Sequence, residues 1–196
     1  MLNVVDRRSI EARSRMLLEK YCPDNLRDHS AIPIEHLVEK LGLDIEYQYL
    51  TKLGEDVLGK LVCTDGLTPY YDMDERKYML LQVKANTIII EVRLADKPDK
   101  GRYRFTVAHE LAHWLLHKSK IIESEAALTE SGNSEMERQA DYMASALLMP
   151  INSVKGHFYK LQGKCGGREN YITAMAEHFC VSRQAMQIRL ENHNLI

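Results

Sequence analysis

One short segment constrains the fold of this chain more than any other: His109-Glu110-Leu111-Ala112-His113. Its two histidines stand four residues apart, so on an α-helix they lie on the same face. They can then share one metal ion, and Glu110, next to the first histidine, can reach a water molecule held in an open coordination position. The segment therefore predicts a helix that carries two zinc ligands and a general base.

The residues around this segment support a buried metal site. From Phe105 to His117 the chain reads FTVAHELAHWLLH, without Gly or Pro, and Glu110 is the only formally charged residue in it. A helix that is apolar on all sides is normally buried. Burying an unpaired carboxylate beside several imidazoles would be costly, and a metal ion removes that objection. The alternative, which is less favoured, is a core helix whose histidines have hydrogen-bond partners.

A second patterned segment offers a third ligand. Residues 134–149 read SEMERQADYMASALLM and are followed by Pro150. The apolar face of this predicted helix consists of Ala140, Met143, Ala144, Leu147 and Leu148. Extending that face by one turn reaches Glu137, which is therefore the acidic residue expected to point inward and complete the site. A carboxylate at the edge of an ordinary amphipathic helix is the alternative.

Asp141 is a candidate for orienting one of the ligands. Metal-bound histidines usually donate their second ring N–H to a carboxylate or a carbonyl, which fixes the tautomer and the ring orientation. We expect Asp141, one helical turn beyond the third ligand, to accept such a bond from His109 or His113. A solvated aspartate, or an ion pair with Arg138, is the alternative.

Other polar residues near the motif have less certain roles. His117 continues the four-residue series, but its Cα lies about 12 Å along the helix from that of His109. We interpret it as helix-end packing or capping rather than as a ligand. A peptidase of this kind normally needs a further donor to stabilise an oxyanion. The sequence does not choose among the candidates, which are Tyr103, Arg104, Tyr142 and His157.

Together these motifs resemble the ImmA/IrrE family of zinc peptidases. The resemblance is carried by residues 32–43, 104–113, 137–141, 147–150, 179–182 and 189–190, whereas residues 51–85 match least. Two departures are visible. Ala112 stands where the family commonly has Gly, and Asp141 stands where Asn is common. Neither change removes a ligand or the base.

The resemblance implies a zinc endopeptidase of the thermolysin type. His109, His113 and Glu137 would bind Zn²⁺, and Glu110 would be the general base. Relatives in this family are regulatory proteases that relieve repression, often alongside mobile elements or stress responses. The implied substrate is a helix-turn-helix transcriptional repressor. The alternative is a metal-containing regulator that binds DNA or protein without cleaving it; an inert structural site would have no need of Glu110.

Composition limits the remaining possibilities. A chain of 196 residues is long enough for one well-buried domain. Its net charge of −2 argues against dominant binding to a nucleic-acid backbone. No apolar run approaches the roughly 20 residues that span a bilayer, and the first residues do not resemble a signal peptide. The 4 cysteines are scattered without a CxxC pair, which is typical of reduced thiols in a cytoplasmic protein.

The order of patterned segments predicts an α+β fold. Helices are expected near residues 6–20 and 33–41, and strands near 44–50, 58–63, 78–83 and 87–92. The two motif-bearing helices follow, connected by residues 118–133, for which a part-helical structure is left open, and a polar loop at 95–101 precedes the first. We therefore expect a small, mainly antiparallel sheet packed against helices. A sheet edge beside the metal-binding helix could receive an extended substrate.

The last part of the chain reads as a pair of helices. Residues 171–179 and 183–190 are predicted helices, joined by a tight turn in which Ser182 is a plausible N-cap. This spacing resembles a helix-turn-helix, but residues 151–196 carry a net charge of only +3. DNA binding is therefore possible but not favoured over a pair that supports the site or meets a partner. We assign residues 1–160 to a zincin-like metallopeptidase domain and 161–196 to a C-terminal helical segment, with a possible hinge at 163–167.

Overall fold

A computed structural model describes residues 6–50, 57–96, 101–126, 134–164 and 166–196. The helices among them are α1 (Arg7–Tyr21), α2 (Pro23–Asp28), α3 (Ile34–Lys40), α4 (Val92–Ala95), α5 (Gly101–Ala126), α6 (Ser134–Leu148), α7 (Ile151–Leu161), α8 (Arg168–Phe179) and α9 (Arg183–Asn192). The strands are β1 (Asp44–Gln48), β2 (Gly59–Val62), β3 (Gly66–Asp72), β4 (Lys77–Val83) and β5 (Thr87–Glu91). None of these helices combines the length and the apolar character that crossing a bilayer requires.

The predicted α+β class is confirmed, and its strands form two small sheets. The larger sheet has the order β1–β5–β2, with β5 antiparallel to β2 and parallel to β1. The second sheet is the antiparallel pair β3–β4. Two of the three strand pairs are thus antiparallel, as expected. A parallel pair requires a long connection, and residues 49–86 supply one between β1 and β5.

Strand β5 is the centre of the larger sheet because its sequence is apolar on both faces. Every residue from Thr87 to Glu91 is buried. Ile88 and Ile90 belong to the main hydrophobic core, whereas Ile89 packs in a second cluster with Leu50, Val62 and Val83. Successive side chains of a strand point to opposite faces, so both faces of the sheet are covered. The main core lies between this sheet and the helices.

Helices α5 and α6 lie against each other through small side chains. Ala108 and Ala112 on α5 and Ala140 and Ala144 on α6 are all fully buried. Their small size allows the two backbones to approach closely, and this places residues of the two motifs side by side. The apolar face predicted for residues 134–149 is confirmed, since each of its five residues is buried.

Several elements differ from the sequence prediction. Helices α2, α4 and α7 and strand β3 were not anticipated, and α5 continues to Ala126, into the connection 118–133, where the sequence leaves a part-helical structure open. Prolines explain three of these omissions: Pro23 begins α2, Pro150 immediately precedes α7, and Pro69 lies within β3. Proline is tolerated in the first helical turn and in a two-stranded sheet. Residues 97–100, 127–133 and 165, parts of the predicted loops and hinge, lie outside the described residues.

The two C-terminal helices pack into the main core. Phe179, Met186 and Leu190 are fully buried in the same cluster as α5 and α6. Ser182 caps α9 as predicted, accepting a hydrogen bond from the backbone N–H of Ala185. The division of the chain at residues 160 and 161 stays a prediction.

A buried ion pair fastens α9 to the first helix. The Arg189 side chain, 1% exposed, donates to both carboxylate oxygens of Glu11 at 2.6 and 3.1 Å. Its Nε also donates to the carbonyl oxygen of Met149 at 3.0 Å. One guanidinium therefore joins α9 to α1 and to the end of α6.

Candidate metal centre

Helix α5 presents the two motif histidines on its face toward α6. The helix is held in the core by Val107, Ala108, Leu111 and Ala112, all fully buried. His109 and His113, on the remaining face, are mostly buried, and their ring centroids lie 4.7 Å apart. The helical prediction and its consequence, two adjacent imidazoles, are confirmed for this segment.

Three side chains from the two helices converge at one point. His109 Nε2 lies 3.0 Å from His113 Nε2, and it lies 3.2 Å from Glu137 Oε2. His113 Nε2 lies 3.4 Å from Glu137 Oε1. Within the described residues this is the group of His, Cys, Asp and Glu side chains that could hold a metal ion. We call these three residues the ligand triangle.

The dimensions of the ligand triangle fit a zinc ion. Tetrahedral zinc with bonds of about 2.0–2.1 Å to nitrogen or oxygen requires its ligand atoms to lie about 3.3–3.4 Å apart. The two nitrogens lie 3.0 Å apart, and each lies 3.2–3.4 Å from one or the other oxygen of the Glu137 carboxylate. Two imidazoles and one carboxylate form a ligand set typical of catalytic zinc, which keeps a fourth position for water. The Glu137 side chain is 53% exposed, so solvent can reach the ligand triangle.

Asp141 contacts one of the two histidines, as the sequence suggested. Its Oδ1 lies 2.9 Å from His109 Nδ1, on the side of the ring away from the ligand triangle. Burial opposes protonation of His109, but the bond with Asp141 and the charges of the nearby carboxylates raise its pKa overall. Burial and the adjacent His109 lower the pKa of His113. An imidazole must be neutral to bind a metal, and a carboxylate at Nδ1 leaves Nε2 as the free nitrogen.

Glu110 lies beside the ligand triangle on the buried side of α5. Burial raises its pKa to about 7, and the charge of Glu137 acts in the same direction, whereas His109 and a hydrogen bond with the Leu61 backbone oppose the shift. A carboxyl group with a pKa near neutrality can both accept and return a proton. Gly59 is packed against it, since a Cβ at position 59 would lie 2.8 Å from Glu110 Oε1.

The sequence predicted a sheet edge beside the metal-binding helix but did not identify the strand, which is β2. This strand forms an edge of the three-stranded sheet and runs along α5. The Glu91 N–H donates to the Leu58 carbonyl oxygen, so Leu58 faces β5. By the alternation of an antiparallel pair, Gly59 and Leu61 direct their backbone groups outward, toward Glu110. No local signal could reveal this contact, because it joins residues about fifty positions apart.

A cleft of about 540 Å³ lies over the ligand triangle. It is lined by Val57, Leu58, Gly59, Lys60, Leu61, Phe105, Thr106, His109, Glu110, His113, Ile121, Met136 and Glu137. One wall is therefore β2 and the other is α5 with the start of α6. The Nζ of Lys60 donates to Thr68 Oγ1 at 2.7 Å, which draws this cation toward β3.

The four candidates for an oxyanion donor lie outside this cleft. Tyr103 is buried with its hydroxyl 3.0 Å from that of Tyr47, and Arg104 donates to the backbone oxygens of Ile32 and Cys180. Tyr142 donates to Glu11, and His157 stacks on His178. These contacts account for each side chain, and none of the four lines the cleft.

The interpretation of His117 as helix-end packing is wrong, because α5 continues for nine more residues. His117 is 2% exposed, and burial lowers its pKa. Its Nδ1 lies 3.3 Å from His113 Nδ1, and its Nε2 lies 3.0 Å from Gln139 Oε1. His117 is not part of the ligand triangle, as the sequence predicted, but it touches one of its members.

Comparison with known proteins yields one family match. A family model described as "Peptidase_M78: IrrE N-terminal-like domain" matches residues 72–191. No curated protein matches the chain significantly. The chain is similar to the solved structure of a Mycobacterium tuberculosis transcriptional regulator, with 18% identity and a TM-score of 0.48. That match covers 93% of this chain and 46% of the other, so this chain spans about half the length of that structure.

Proposed function

The chain belongs to the Peptidase_M78 family of IrrE N-terminal-like domains, and we propose that it is a zinc-dependent endopeptidase whose substrate is a helix-turn-helix transcriptional repressor. The observation that carries this proposal is the ligand triangle with Glu110 beside it in an open cleft. A purely structural zinc site is closed by four protein ligands and has no need of a base. The resemblance to ImmA/IrrE proteins supports the repressor as substrate.

The ligand triangle and Glu110 have separate tasks in the proposed reaction. His109, His113 and Glu137 would hold the metal ion. Zinc bound there would supply Lewis-acid chemistry, lowering the pKa of a water molecule and polarising a carbonyl group. The Glu110 carboxylate accepts a proton from the attacking water and later delivers it to the nitrogen of the leaving amine.

Asp141 and β2 support these tasks. By accepting the Nδ1–H of His109, Asp141 keeps the Nε2 lone pair directed at the metal. The outer edge of β2 offers backbone hydrogen-bonding groups beside the ligand triangle. An extended peptide can pair with such an edge as an additional strand, which would bring its backbone across the site. We propose β2 as the strand that receives the substrate.

The C-terminal helices favour this proposal over a DNA-binding regulator. Arg168 pairs with Glu191, and Arg183 pairs with Glu169. Arg189 is buried against Glu11. Three of the basic side chains of this segment are therefore engaged within the protein, which leaves less positive charge for a phosphate backbone.

The proposal is tested by direct cleavage. The zinc-loaded protein is incubated with candidate helix-turn-helix repressors, beginning with any that a gene adjacent to its own encodes, and fragments are identified by mass spectrometry. We expect defined fragments that are absent when zinc is removed with a chelator. An intact repressor, together with sequence-selective DNA binding by this protein, would favour the non-proteolytic alternative.

Gly59 provides a test of the geometry around the base. In Gly59→Ala the new Cβ would lie 2.8 Å from both Glu110 Oε1 and the Thr106 methyl carbon, so the carboxylate must move. A displacement of about 1 Å in a catalytic group can cost on the order of 100-fold in rate. We expect kcat for repressor cleavage to fall by that order while zinc affinity stays unchanged. Gly66→Ala is the matched control, because a Cβ there meets nothing within 4 Å. Equal activity of the two variants would contradict the prediction.

A further inference from the structure

A line of polar side chains, three of them buried, runs from the ligand triangle to Glu135. His113 Nδ1 lies 3.3 Å from His117 Nδ1, and His117 Nε2 lies 3.0 Å from Gln139 Oε1. Gln139 Nε2 then donates to Glu135 Oε1 at 3.1 Å. His113, His117 and Gln139 are 8%, 2% and 6% exposed. The line starts on α5 with the two histidines and crosses once to Gln139 and Glu135 on α6.

The chemistry of the two ends fixes the direction of every hydrogen bond in this line. At the end next to the ligand triangle, His113 Nε2 is the nitrogen that would bind the metal and can carry no proton. The proton of His113 must then be on Nδ1. The His117 atom that faces it is Nδ1, which must then be the acceptor. His117 therefore carries its proton on Nε2 and donates it to Gln139 Oε1, an atom that can only accept.

The end of the line at Glu135 gives the same assignment independently. An ionised carboxylate has no proton to donate, so Glu135 must accept from the amide nitrogen of Gln139. This orients the amide with its oxygen toward His117. Both ends thus require the same tautomer of His117, and the side-chain geometry satisfies every bond in the line. If the imidazoles only packed in the core, nothing would require the two ends of the line to assign the same tautomer to His117.

We propose that His117 is a positioning residue for the zinc ligand His113. His117 orients His113 by accepting a hydrogen bond from its Nδ1–H, and Gln139 fixes the tautomer of His117 that can accept this bond. The two histidine ligands are then held differently. His109 is held by the exposed carboxylate of Asp141, and His113 by a buried neutral imidazole. This inference rests on the proposed zinc site, and it assigns a role to a histidine that does not bind the metal.

The experiment compares zinc affinities by competition with a chromophoric chelator. In His117→Leu the acceptor is lost but much of the buried volume is kept, and loss of such an outer partner costs about 10–100-fold in affinity. In His117→Asn the amide oxygen can occupy the place of Nδ1. We expect the leucine variant to lose affinity to that extent and the asparagine variant to recover most of it.

A second measurement needs no substitution. Long-range ¹H–¹⁵N spectra of the zinc-loaded wild-type protein report which imidazole nitrogens carry protons. We expect His117 as the Nε2–H tautomer and His113 with its proton on Nδ1. The opposite tautomer of His117 overturns the inference even if a variant fails to fold.

The outcomes separate this inference from the proposed function. Unchanged zinc affinity in His117→Leu, or an equal loss in both variants, would overturn the positioning role and leave the zinc site standing. A wild-type protein that does not bind zinc would overturn the proposed function and this inference with it.

Discussion

Replacing Glu110 with glutamine is expected to lower kcat for repressor cleavage by about 10²–10⁴-fold, the usual contribution of a positioned acid–base group. The amide has nearly the same shape as the carboxylate and fits the same buried position, but it cannot accept the proton of the attacking water. The ligand triangle is untouched, so zinc affinity and the thermal unfolding temperature should change little. Cleavage rates on the repressor and the zinc content of each sample measure the two expectations separately.

The matched control for this substitution is Glu123→Gln. Glu123 lies on the same helix, is exposed and does not line the cleft. We expect it to cleave at the wild-type rate. If Glu110→Gln retained wild-type cleavage, Glu110 would lose its proposed role, whereas loss of zinc from this variant would mean that the effect on the rate cannot be assigned to proton transfer.

Replacing Glu137 with glutamine is expected to remove most of the zinc affinity. Zinc takes nitrogen, sulfur and carboxylate oxygen ligands, and a neutral amide is a poor substitute for a carboxylate. The loss of zinc affinity should exceed about 100-fold. That is the upper end of the effect of losing a residue that only hydrogen-bonds to a metal ligand. Cleavage should disappear at zinc concentrations that saturate the wild-type protein. Chelator competition measures the affinity, and the metal content after dialysis checks it.

Thermal unfolding gives an independent readout of the same substitution. A ligand that binds only the folded protein stabilises it by about 4 kcal/mol when its concentration is 1,000 times its Kd. Added zinc should therefore raise the unfolding temperature of the wild-type protein and of Glu123→Gln by much more than that of Glu137→Gln. An equal rise in all three proteins would mean that Glu137 is not a ligand.

The ligand triangle was predictable because it depends on helical periodicity. His109 and His113 share a face through their spacing alone, and Glu137 was selected by extending an apolar stripe whose five residues are all buried. Position 141 follows from the same periodicity, and its contact with His109 agrees with the expectation. Because an α-helix has a fixed period, residues whose spacing predicts a shared face also lie on one face in the folded protein.

Features that depend on contacts between distant segments were not predictable. Gly59 meets Glu110 only because β2 is placed along α5, and nothing in the local sequence marks that glycine. His117 was misinterpreted because the end of α5 was placed too early. Its contact with Gln139 depends on the register between two helices. The sequence pattern therefore identified the residues that converge in the ligand triangle better than the residues that pack around them.

The ion pair between Arg189 and Glu11 limits which segments of this protein can be deleted or exchanged with those of a relative. Breaking a buried ion pair by removing one member typically costs about 3–5 kcal/mol, because the other charge is left without compensation. Deleting α9 would remove Arg189 from Glu11, a carboxylate that is only 21% exposed and would keep the hydrogen bond donated by Tyr142. Chimeras that exchange the C-terminal helices should therefore exchange α1 as well.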